Sequence, residues 1–221
     1  MNAPRFDVVL LDLDGTLLDT RLDLVDSTNH VRRSFGLPPL AARDVERLVG
    51  RGARALVERA LGAERTELHD EGVKRFLVHY ADHCLDHTRP YPGMEELFDS
   101  AAPLGVRFAV ITNKPEALSR KILAGLDLLK NLVGVVGGDT FPERKPHPRG
   151  VEHVLALCGA ERSRALLVGD SAVDVATGRA ARVATCGVLW GFDPDGLLAS
   201  PPELLARDAA ELGGVTRYGS V

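Results

Sequence analysis

The sequence predicts an α/β fold: a doubly wound, Rossmann-like parallel sheet core with an inserted α-helical cap domain. Two observations lead to this fold class. Short, nearly continuous apolar runs alternate with helical patterns over most of the chain, which is typical of strands buried on both faces of a parallel sheet. One long stretch departs from this alternation and shows helical periodicity only, which indicates a helical insertion.

The alternating part predicts four strands and four helices of the core. Apolar runs of strand length lie at 6–11, 107–111, 165–168 and 183–189. Helical patterns lie at 93–104, 115–126, 148–157 and 173–181. The last residues, 213–221, carry no recognisable pattern, and we expect them to form a frayed tail.

The helical insertion follows the first predicted strand. Its helical periodicity is found at 22–35, 44–49, 53–61 and 66–85. Gly15-Thr16 precedes this stretch and Arg89-Pro90-Tyr91-Pro92-Gly93 follows it, and glycine and proline in such positions indicate turns and hinges. We therefore expect residues 1–16 and 90–221 to form the core domain, and residues 17–89 to form a cap domain that can move over it.

Composition and charge exclude two classes of partner. The chain has 221 residues, of which 45% are hydrophobic and 26% are charged, as is typical of a folded globular protein. Lys plus Arg number 27 and Asp plus Glu number 31, so the net charge is −4, and no long basic run offsets it. We therefore expect no nucleic-acid partner. No apolar run approaches the roughly 18 residues of a membrane span, so we expect no membrane partner.

Two further features bear on the compartment. Asp12 and Asp14 interrupt the apolar run near the N-terminus, which argues against a secretory signal. The cysteines Cys84, Cys158 and Cys186 show no C-x-x-C spacing, which is typical of reduced thiols. We expect a cytoplasmic protein that is a monomer or a homodimer.

The first chemical motif is Asp12-Leu13-Asp14-Gly15-Thr16-Leu17, directly after the first predicted strand. In open α/β sheets, ligands bind beyond the carboxyl ends of the strands, so Asp12 and Asp14 are expected to face one crevice. Leu13 would point away from it, and Gly15 would allow a sharp turn. The alternative is that these residues only end the strand and cap a turn.

A second acidic motif, Gly169-Asp170-Ser171-Ala172-Val173-Asp174, follows the strand predicted at 165–168 and opens a helix. Asp170 would lie at the strand end, and Asp174 would lie on the same side in the first helical turn, although helix capping is its alternative role. Converging carboxylates repel one another unless a cation lies among them. Because all these ligands are hard oxygens, Mg²⁺ is favoured over Zn²⁺.

Two more segments offer groups that bind an anion. Thr112-Asn113-Lys114-Pro115 follows the strand at 107–111, and a hydroxyl with helix N-terminal amides forms an anion site, with an ordinary Thr or Asn cap as the alternative. Lys145 lies in a loop stiffened by prolines, where a fixed ammonium could neutralise a phosphate and a nucleophile together. Arg144 is a neighbouring cation that could take this role.

With these four motifs in this order, the chain resembles the phosphatases of the haloacid dehalogenase superfamily that carry a helical cap. The resemblance implies that Asp12 is the nucleophile that forms an aspartyl-phosphate, and that Asp14 is the general acid and base. Thr112 and Lys145 would hold the phosphoryl group. The implied substrate-binding residues in the core are Gly15, Thr16, Thr112, Asn113, Lys114 and Lys145.

The resemblance also implies a magnesium site. The ion would be bound by the Asp12 carboxylate, the Asp14 backbone carbonyl and the Asp170 carboxylate, with Asp174 and Ser171 in support. Carbon–halogen cleavage is disfavoured, because the dehalogenases of the superfamily are expected to lack the second aspartate of the first motif.

Further segments are similar to bacterial phosphoglycolate phosphatases, which implies 2-phosphoglycolate as the substrate. These segments are residues 49–56 (V-G-R-G-A-R-A-L), Thr112-Asn113-Lys114-Pro115 and Tyr91-Pro92-Gly93. Arg51 is the candidate cap contact for the substrate carboxylate, and a solvated arginine at a helix end is the alternative. Related enzymes act on sugar phosphates, nucleotides or pyrophosphate, which remain alternative substrates.

Three other classes of protein share parts of this pattern. A phospho-accepting signalling module also combines an acidic pocket with Thr and Lys, but it needs neither a helical insertion nor Asp14. A sugar phosphomutase shares every core motif and is distinguished by its products. A catalytically inactive binding protein is disfavoured, because no expected core residue is missing.

Three histidines, His79, His83 and His87, recur every four residues, with Cys84 and Asp86 nearby. Imidazoles with this spacing lie along one helical face and could bind a metal. The more common meaning of such a pattern is a solvated polar stripe on a long cap helix.

Overall fold

Six parallel strands form the central sheet, which confirms the predicted fold class. The computed structural model describes residues 3–219. Its strands are β1 (Val8–Leu11), β2 (Leu18–Asp19), β3 (Arg89–Pro90), β4 (Arg107–Ile111), β5 (Leu132–Val136), β6 (Ala165–Gly169), β7 (Ala184–Val188) and β8 (Leu204–Ala206). The sheet order is β5-β4-β1-β6-β7-β8.

The register of the three middle strands determines where the site lies. Leu11 of β1 pairs with Val110 of β4 and with Val168 of β6, and all three strands run in parallel. Their carboxyl ends therefore lie at one level and at one edge of the sheet. The residues that follow these strands, Asp12 and Thr112 among them, are brought together there.

Successive residues of β1 face opposite sides of the sheet, and both sides are buried. Val9 and Leu11 belong to one hydrophobic cluster, whereas Val8 and Leu10 belong to another. Burial on both faces explains why this strand is a continuous apolar run instead of an alternating one.

Ten helices surround or extend this sheet in the described range. They are α1 (Arg21–Ser34), α2 (Ala42–Glu46), α3 (Ala53–Leu61), α4 (Thr66–His83), α5 (Met94–Ala101), α6 (Glu116–Gly125), α7 (Arg149–Cys158), α8 (Ala172–Ala181), α9 (Pro194–Ala199) and α10 (Ala209–Tyr218). Short 3₁₀ turns lie at Ala102–Leu104, Leu129–Asn131 and Arg162–Arg164. Buried residues of α5, α6 and α10 join the cluster of Val9, and those of α7 join the cluster of Val8.

The helices α1 to α4 follow β1 and return to the sheet through a two-stranded ribbon. In this ribbon β2 pairs with β3 in antiparallel fashion, with Leu18 opposite Pro90. Asp23 of α1 links this helix to the segment between α4 and β3. Its carboxylate accepts hydrogen bonds from the backbone N–H groups of His87 and Thr88 and from the Thr88 hydroxyl, at 2.7–2.9 Å. Buried residues of α3 and α4 continue the cluster of Val9.

The edge strands β5 and β8 and the helices α9 and α10 were missed by the sequence analysis. β5 contains Gly134, which is depleted in strands, and β8 has only three residues. The predicted helix at 93–104 is α5 followed by a 3₁₀ turn, and the helix predicted at 66–85 ends at His83.

The expectation of a frayed tail at 213–221 is wrong for the described part of that segment. Residues 209–218 form α10, and the Asp208 carboxylate caps it by accepting a hydrogen bond of 2.8 Å from the Glu211 N–H. Leu212 and Val215 are completely buried. The glycines in this helix made its periodic apolar face difficult to recognise in the sequence. Ser220 and Val221 lie outside the described residues. No helix between residues 3 and 219 is long and apolar enough to cross a bilayer.

Candidate active site

Three carboxylates and one ammonium meet at the carboxyl edge of the sheet. Asp12 follows β1, Asp170 follows β6, and Asp174 lies in the first turn of α8. Each of the three offers a carboxylate oxygen, and these oxygens lie within 4.8 Å of one another. Lys145, from the loop between β5 and α7, places its Nζ 2.8 Å from Asp12 Oδ1 and 2.6 Å from Asp174 Oδ1. The structure therefore brings these four predicted residues together.

A tight turn after Asp12 brings Asp14 back beside it. The carbonyl of Leu13 accepts hydrogen bonds from the N–H groups of Leu17 and Leu18, and the Leu13 side chain is buried away from the site. Gly15 has φ of 82°, in the left-handed region. A Cβ atom at Gly15 would also lie 2.3 Å from Asp170 Oδ2, so both the turn and the approach of Asp170 require glycine.

Asp170 is oriented from two sides. Its Oδ1 accepts a hydrogen bond of 3.3 Å from the Thr16 hydroxyl, and its Oδ2 accepts one of 2.7 Å from the backbone N–H of Phe192. The Trp190 indole N–H donates to the Thr16 carbonyl at 3.1 Å. The loop at 190–192 was missed by the sequence analysis, although its position after β7, at the same sheet edge, could have indicated it.

Asp174 lies beside Asp12 and Asp170, as predicted, and it also caps its helix. Its Oδ2 accepts hydrogen bonds from the backbone N–H and the hydroxyl of Ser171, which forms a capping box at the start of α8. Its Oδ1 contacts Lys145. Because one oxygen caps the helix and the other contacts the ammonium, Asp174 fixes the position of Lys145 relative to the strand ends.

Lys145, and not Arg144, reaches the carboxylates. Lys145 is buried, whereas Arg144 is exposed. The Asn113 amide donates to the Lys145 carbonyl at 3.1 Å and to the Gly50 carbonyl at 2.9 Å. Asn113 therefore joins the loop after β4 to the Lys145 loop and to the segment between α2 and α3.

Burial and mutual repulsion strongly affect the acidic cluster. Burial raises the pKa of Asp12 to about 6, with Lys145 opposing this change. Burial, followed by the charges of Asp174 and Asp12, raises the pKa of Asp170 well above its usual value. Burial acts to lower the pKa of Lys145, but the two carboxylates beside it outweigh burial and leave the pKa raised.

The residues of this cluster fit a divalent cation. With all groups ionised, three carboxylates face one ammonium, so the cluster carries a net charge of −2. Asp12 Oδ1 is buried and, among the described residues, receives no hydrogen bond of good geometry, although the Lys145 ammonium is close. All the available ligands are oxygens. A hard divalent cation would balance the charge and be coordinated by the unsatisfied oxygen.

Asp14 is held directly by groups from two segments. Its Oδ1 accepts a hydrogen bond of 2.7 Å from the Thr20 hydroxyl and one of 2.5 Å from Lys114 Nζ. Lys114 also donates to the Tyr80 hydroxyl at 2.8 Å. Thr112, at the end of β4, is buried and lines the same pocket as Asp12 and Asp14. Thr20 and Tyr80 were missed by the sequence analysis, because neither belongs to a recognisable motif.

The predicted carboxylate contact, Arg51, lies above the acidic cluster. It is exposed and lines a cavity of about 380 Å³ together with Asp12, Asp14 and Asp170. Two other arginines, Arg47 and Arg59, line the same cavity. The helical segment therefore adds a net basic side to the acidic floor of this cavity, because its three arginines outnumber its one lining carboxylate, Glu46.

The three histidines do not converge on one point. His79 stacks on His30 and His83, with ring centroids 3.9 and 4.3 Å apart, and His83 Nδ1 lies 2.8 Å from an Asp86 carboxylate oxygen. His87 lies beyond the end of α4. Asp12, Asp170 and Asp174 are the one set of three or more convergent metal-ligating side chains between residues 3 and 219.

Comparison with known proteins gives a consistent result. Residues 9–188 match the family model described as haloacid dehalogenase-like hydrolase. The chain is 36% identical over 215 residues to a phosphoglycolate phosphatase of Agrobacterium fabrum, covering 96% of this chain and 92% of the relative. It is 39% identical over 189 residues to the phosphoglycolate phosphatase of Mesorhizobium japonicum, covering 84% and 83%.

A solved structure shares the whole architecture. The crystal structure of a predicted phosphoglycolate phosphatase from Haemophilus somnus superposes with a TM-score of 0.91 at 27% identity. The superposition covers 98% of this chain and 100% of the other.

Proposed function

Because the chain belongs to the haloacid dehalogenase-like hydrolase family, we propose that it is a Mg²⁺-dependent phosphatase that hydrolyses 2-phosphoglycolate to glycolate and inorganic phosphate. One observation carries the proposal. The carboxylate of Asp12 lies 2.8 Å from the Lys145 ammonium and within a cluster of three acidic side chains, with Asp14 two residues away in the chain. This arrangement suits a carboxylate nucleophile with a separate acid and base.

In the first step, an Asp12 oxygen attacks phosphorus, and the bond from phosphorus to the leaving oxygen breaks. Thr112 and Lys145 hold the phosphoryl oxygens, because a hydroxyl and an ammonium there balance the developing negative charge. Asp14, in its protonated form, gives its proton to the leaving oxygen. The products of this step are the alcohol and an aspartyl-phosphate on Asp12.

In the second step, Asp14 acts as a base. Its carboxylate takes a proton from a water molecule that attacks the aspartyl-phosphate. Inorganic phosphate leaves, and the Asp12 carboxylate is regenerated. The same side chain therefore serves both half-reactions, and it returns to its starting protonation state after each turnover.

Mg²⁺ would be held by the carboxylates of Asp12 and Asp170 and the backbone carbonyl of Asp14. Asp174, held by Ser171, would support these ligands by fixing the Lys145 ammonium beside Asp12. When bound, the ion supplies positive charge that offsets the repulsion between the carboxylates and the phosphoryl oxygens.

The choice of 2-phosphoglycolate rests on the relatives and on the charge of the large cavity. Its acidic floor suits the ion and the phosphoryl group, and its arginines suit a second anionic group on the substrate, such as a carboxylate. Residues 17–89 would act as the cap that brings Arg51 over the substrate and excludes water.

Phosphate release from a panel of esters tests this proposal. The panel contains 2-phosphoglycolate, sugar phosphates, nucleotides and pyrophosphate, each with Mg²⁺ and with EDTA. We expect release from 2-phosphoglycolate that requires Mg²⁺, and none from the Asp12→Asn variant. Preference for another ester would retain the mechanism and reject the substrate, and isomer formation without phosphate would indicate a mutase.

A further inference from the structure

A tyrosine of the helical segment is connected to Asp14 through one buried lysine. Tyr80 lies in α4, and its hydroxyl accepts a hydrogen bond of 2.8 Å from Lys114 Nζ. The same ammonium donates to Asp14 Oδ1 at 2.5 Å. Tyr80 and Lys114 are 34 residues apart, and Lys114 and Asp14 are 100 apart, so only the folded chain creates this connection.

All three groups are held in place by their surroundings. Tyr80 is fully buried, and its ring stacks on Phe76 with centroids 5.5 Å apart. The Lys114 ammonium lies 4.7 Å from the centroid of the Tyr80 ring, so the ring contributes a cation–π contact beside the hydrogen bond. The Lys114 side chain is only 4% exposed, and that of Asp14 is 12% exposed.

Both donors to Asp14 engage the same oxygen. Oδ1 accepts from Thr20 and from Lys114, and this pair of contacts fixes the position of that oxygen. Asp14 also lines the pocket that contains Asp12 and Thr112. With Oδ1 engaged, Oδ2 is the oxygen that can exchange a proton with a leaving group or a water molecule.

We propose that Tyr80 is a positioning residue that holds Lys114, and through it Asp14, in the orientation required for proton transfer. This inference rests on the proposed function. Because Tyr80 belongs to α4, the connection is complete only when α4 lies over the core. Proton transfer is thereby tied to the placement of the helical segment.

The test compares two phosphomonoesters with different leaving groups in the Tyr80→Phe variant. The alkyl ester 2-phosphoglycolate needs a proton on its leaving oxygen, whereas the 4-nitrophenolate of 4-nitrophenyl phosphate leaves without one. The value of kcat/KM reports the first half-reaction. We expect it to fall about tenfold or more for the alkyl ester, with the about 10²–10⁴-fold contribution of general acid catalysis as the upper bound, and to change less than about twofold for the aryl ester.

Two further variants show whether Tyr80 acts through Lys114. Lys114→Met should lower kcat/KM for the alkyl ester at least as much as Tyr80→Phe. In the double variant, kcat/KM for the alkyl ester should fall no further than in Lys114→Met alone. A residue that acts through another contributes nothing once the other is removed. Tyr91→Phe is the matched control, because it also removes a buried hydroxyl, one that has no hydrogen-bond partner among residues 3–219. It should leave kcat/KM for both esters unchanged.

Several results would overturn the proposal. An equal loss for both esters would mean that Tyr80 only supports packing, and unchanged kinetics would mean that it has no role. Additive losses in the double variant would mean that it acts independently of Lys114. If the wild type hydrolyses no alkyl phosphate, the proposed function is rejected, and the connection with it. If the wild type is active but Tyr80→Phe changes kcat/KM equally for the two esters, only the connection is rejected.

Discussion

Gly191 lies against Asp170 so closely that no side chain fits between them. A Cβ atom at Gly191 would be 2.1 Å from the Cβ of Asp170 and 2.5 Å from its Oδ2. The next residue, Phe192, donates its backbone N–H to that same oxygen. The loop after β7 therefore supports one carboxylate of the acidic cluster.

The Gly191→Ala variant should fold but bind the divalent cation poorly. The added methyl group must displace Asp170 or the loop, and loss of such supporting contacts costs about 10–100-fold in metal affinity or activity. The measurement is the Mg²⁺ concentration that gives half-maximal phosphate release. Gly213→Ala is the control, since its nearest neighbour would lie at an ordinary 3.6 Å and α10 is far from the site. Equal Mg²⁺ requirements in both variants would contradict the supporting role of Gly191.

Mg²⁺ should stabilise the fold, because it would relieve the repulsion among Asp12, Asp170 and Asp174. At a concentration 100 times the dissociation constant, a ligand that binds only the native state adds about 2.7 kcal/mol to the free energy of unfolding. The measurement is the thermal midpoint in Mg²⁺ and in EDTA.

The Asp170→Asn variant separates this effect from non-specific ion binding. In EDTA it should be at least as stable as the wild type, because the folded state already penalises the ionised form of Asp170. In Mg²⁺ it should gain much less than the wild type. A gain equal to that of the wild type would place the ion elsewhere.

The Arg51→Ala variant should lose preference for a substrate with a second anionic group. A hydrogen bond to a charged group contributes about 1.5–3 kcal/mol, so its removal should raise KM for 2-phosphoglycolate about tenfold or more. The KM for a phosphoester without a second anionic group should change little. If the ratio of the two kcat/KM values is unaltered, Arg51 is only a solvated side chain, and Arg47 and Arg59 are the next variants to compare.

The Leu212→Ala variant should be strongly destabilised, although it lies near the end of the chain. Leu212 is completely buried, and truncation of a buried leucine costs about 2–5 kcal/mol. The measurement is the free energy of unfolding in urea. Tyr218→Ala in the same helix removes a side chain that is 72% exposed, and it should change stability by no more than about 0.5 kcal/mol. Similar values for both variants would mean that α10 does not belong to the core.

Stability should fall as the pH is lowered through the range in which His79 titrates. Burial, and then the neighbouring His30 and His83, lower the pKa of His79 from 6.5. The unfolded chain therefore binds a proton at a higher pH than the folded one does. The contribution of His79 to stability is complete above pH 6.5 and is lost as the pH falls through the lowered pKa of the folded state.

Urea unfolding at pH 7.5, 6.5 and 5.5 measures this effect. The decrease in unfolding free energy should be smaller for His79→Gln than for the wild type. His87→Gln is the control, because His87 is exposed and lies beyond the end of α4. The same decrease in His79→Gln as in the wild type would show that this imidazole does not contribute.

Local sequence patterns determined the fold class and the principal residues of the site. A strand buried on both faces must be apolar throughout, and a parallel sheet places all its carboxyl ends at one edge. Asp12, Thr112 and Asp170 each follow such a strand, so their proximity follows from the sequence alone. Lys145 could not be placed in this way, because the strand before its loop, β5, contains Gly134 and was not recognised in the sequence.

Only the tertiary structure decided which groups hold these residues in place. The contacts of Asp170 with Gly191 and Phe192, and of Asp14 with Lys114 and Tyr80, join segments distant in the chain. Backbone donors and single side chains of this kind have no periodicity and no fixed spacing, so no local pattern marks them. Their positions depend on how strands and helices pack, and packing is a property of the whole chain.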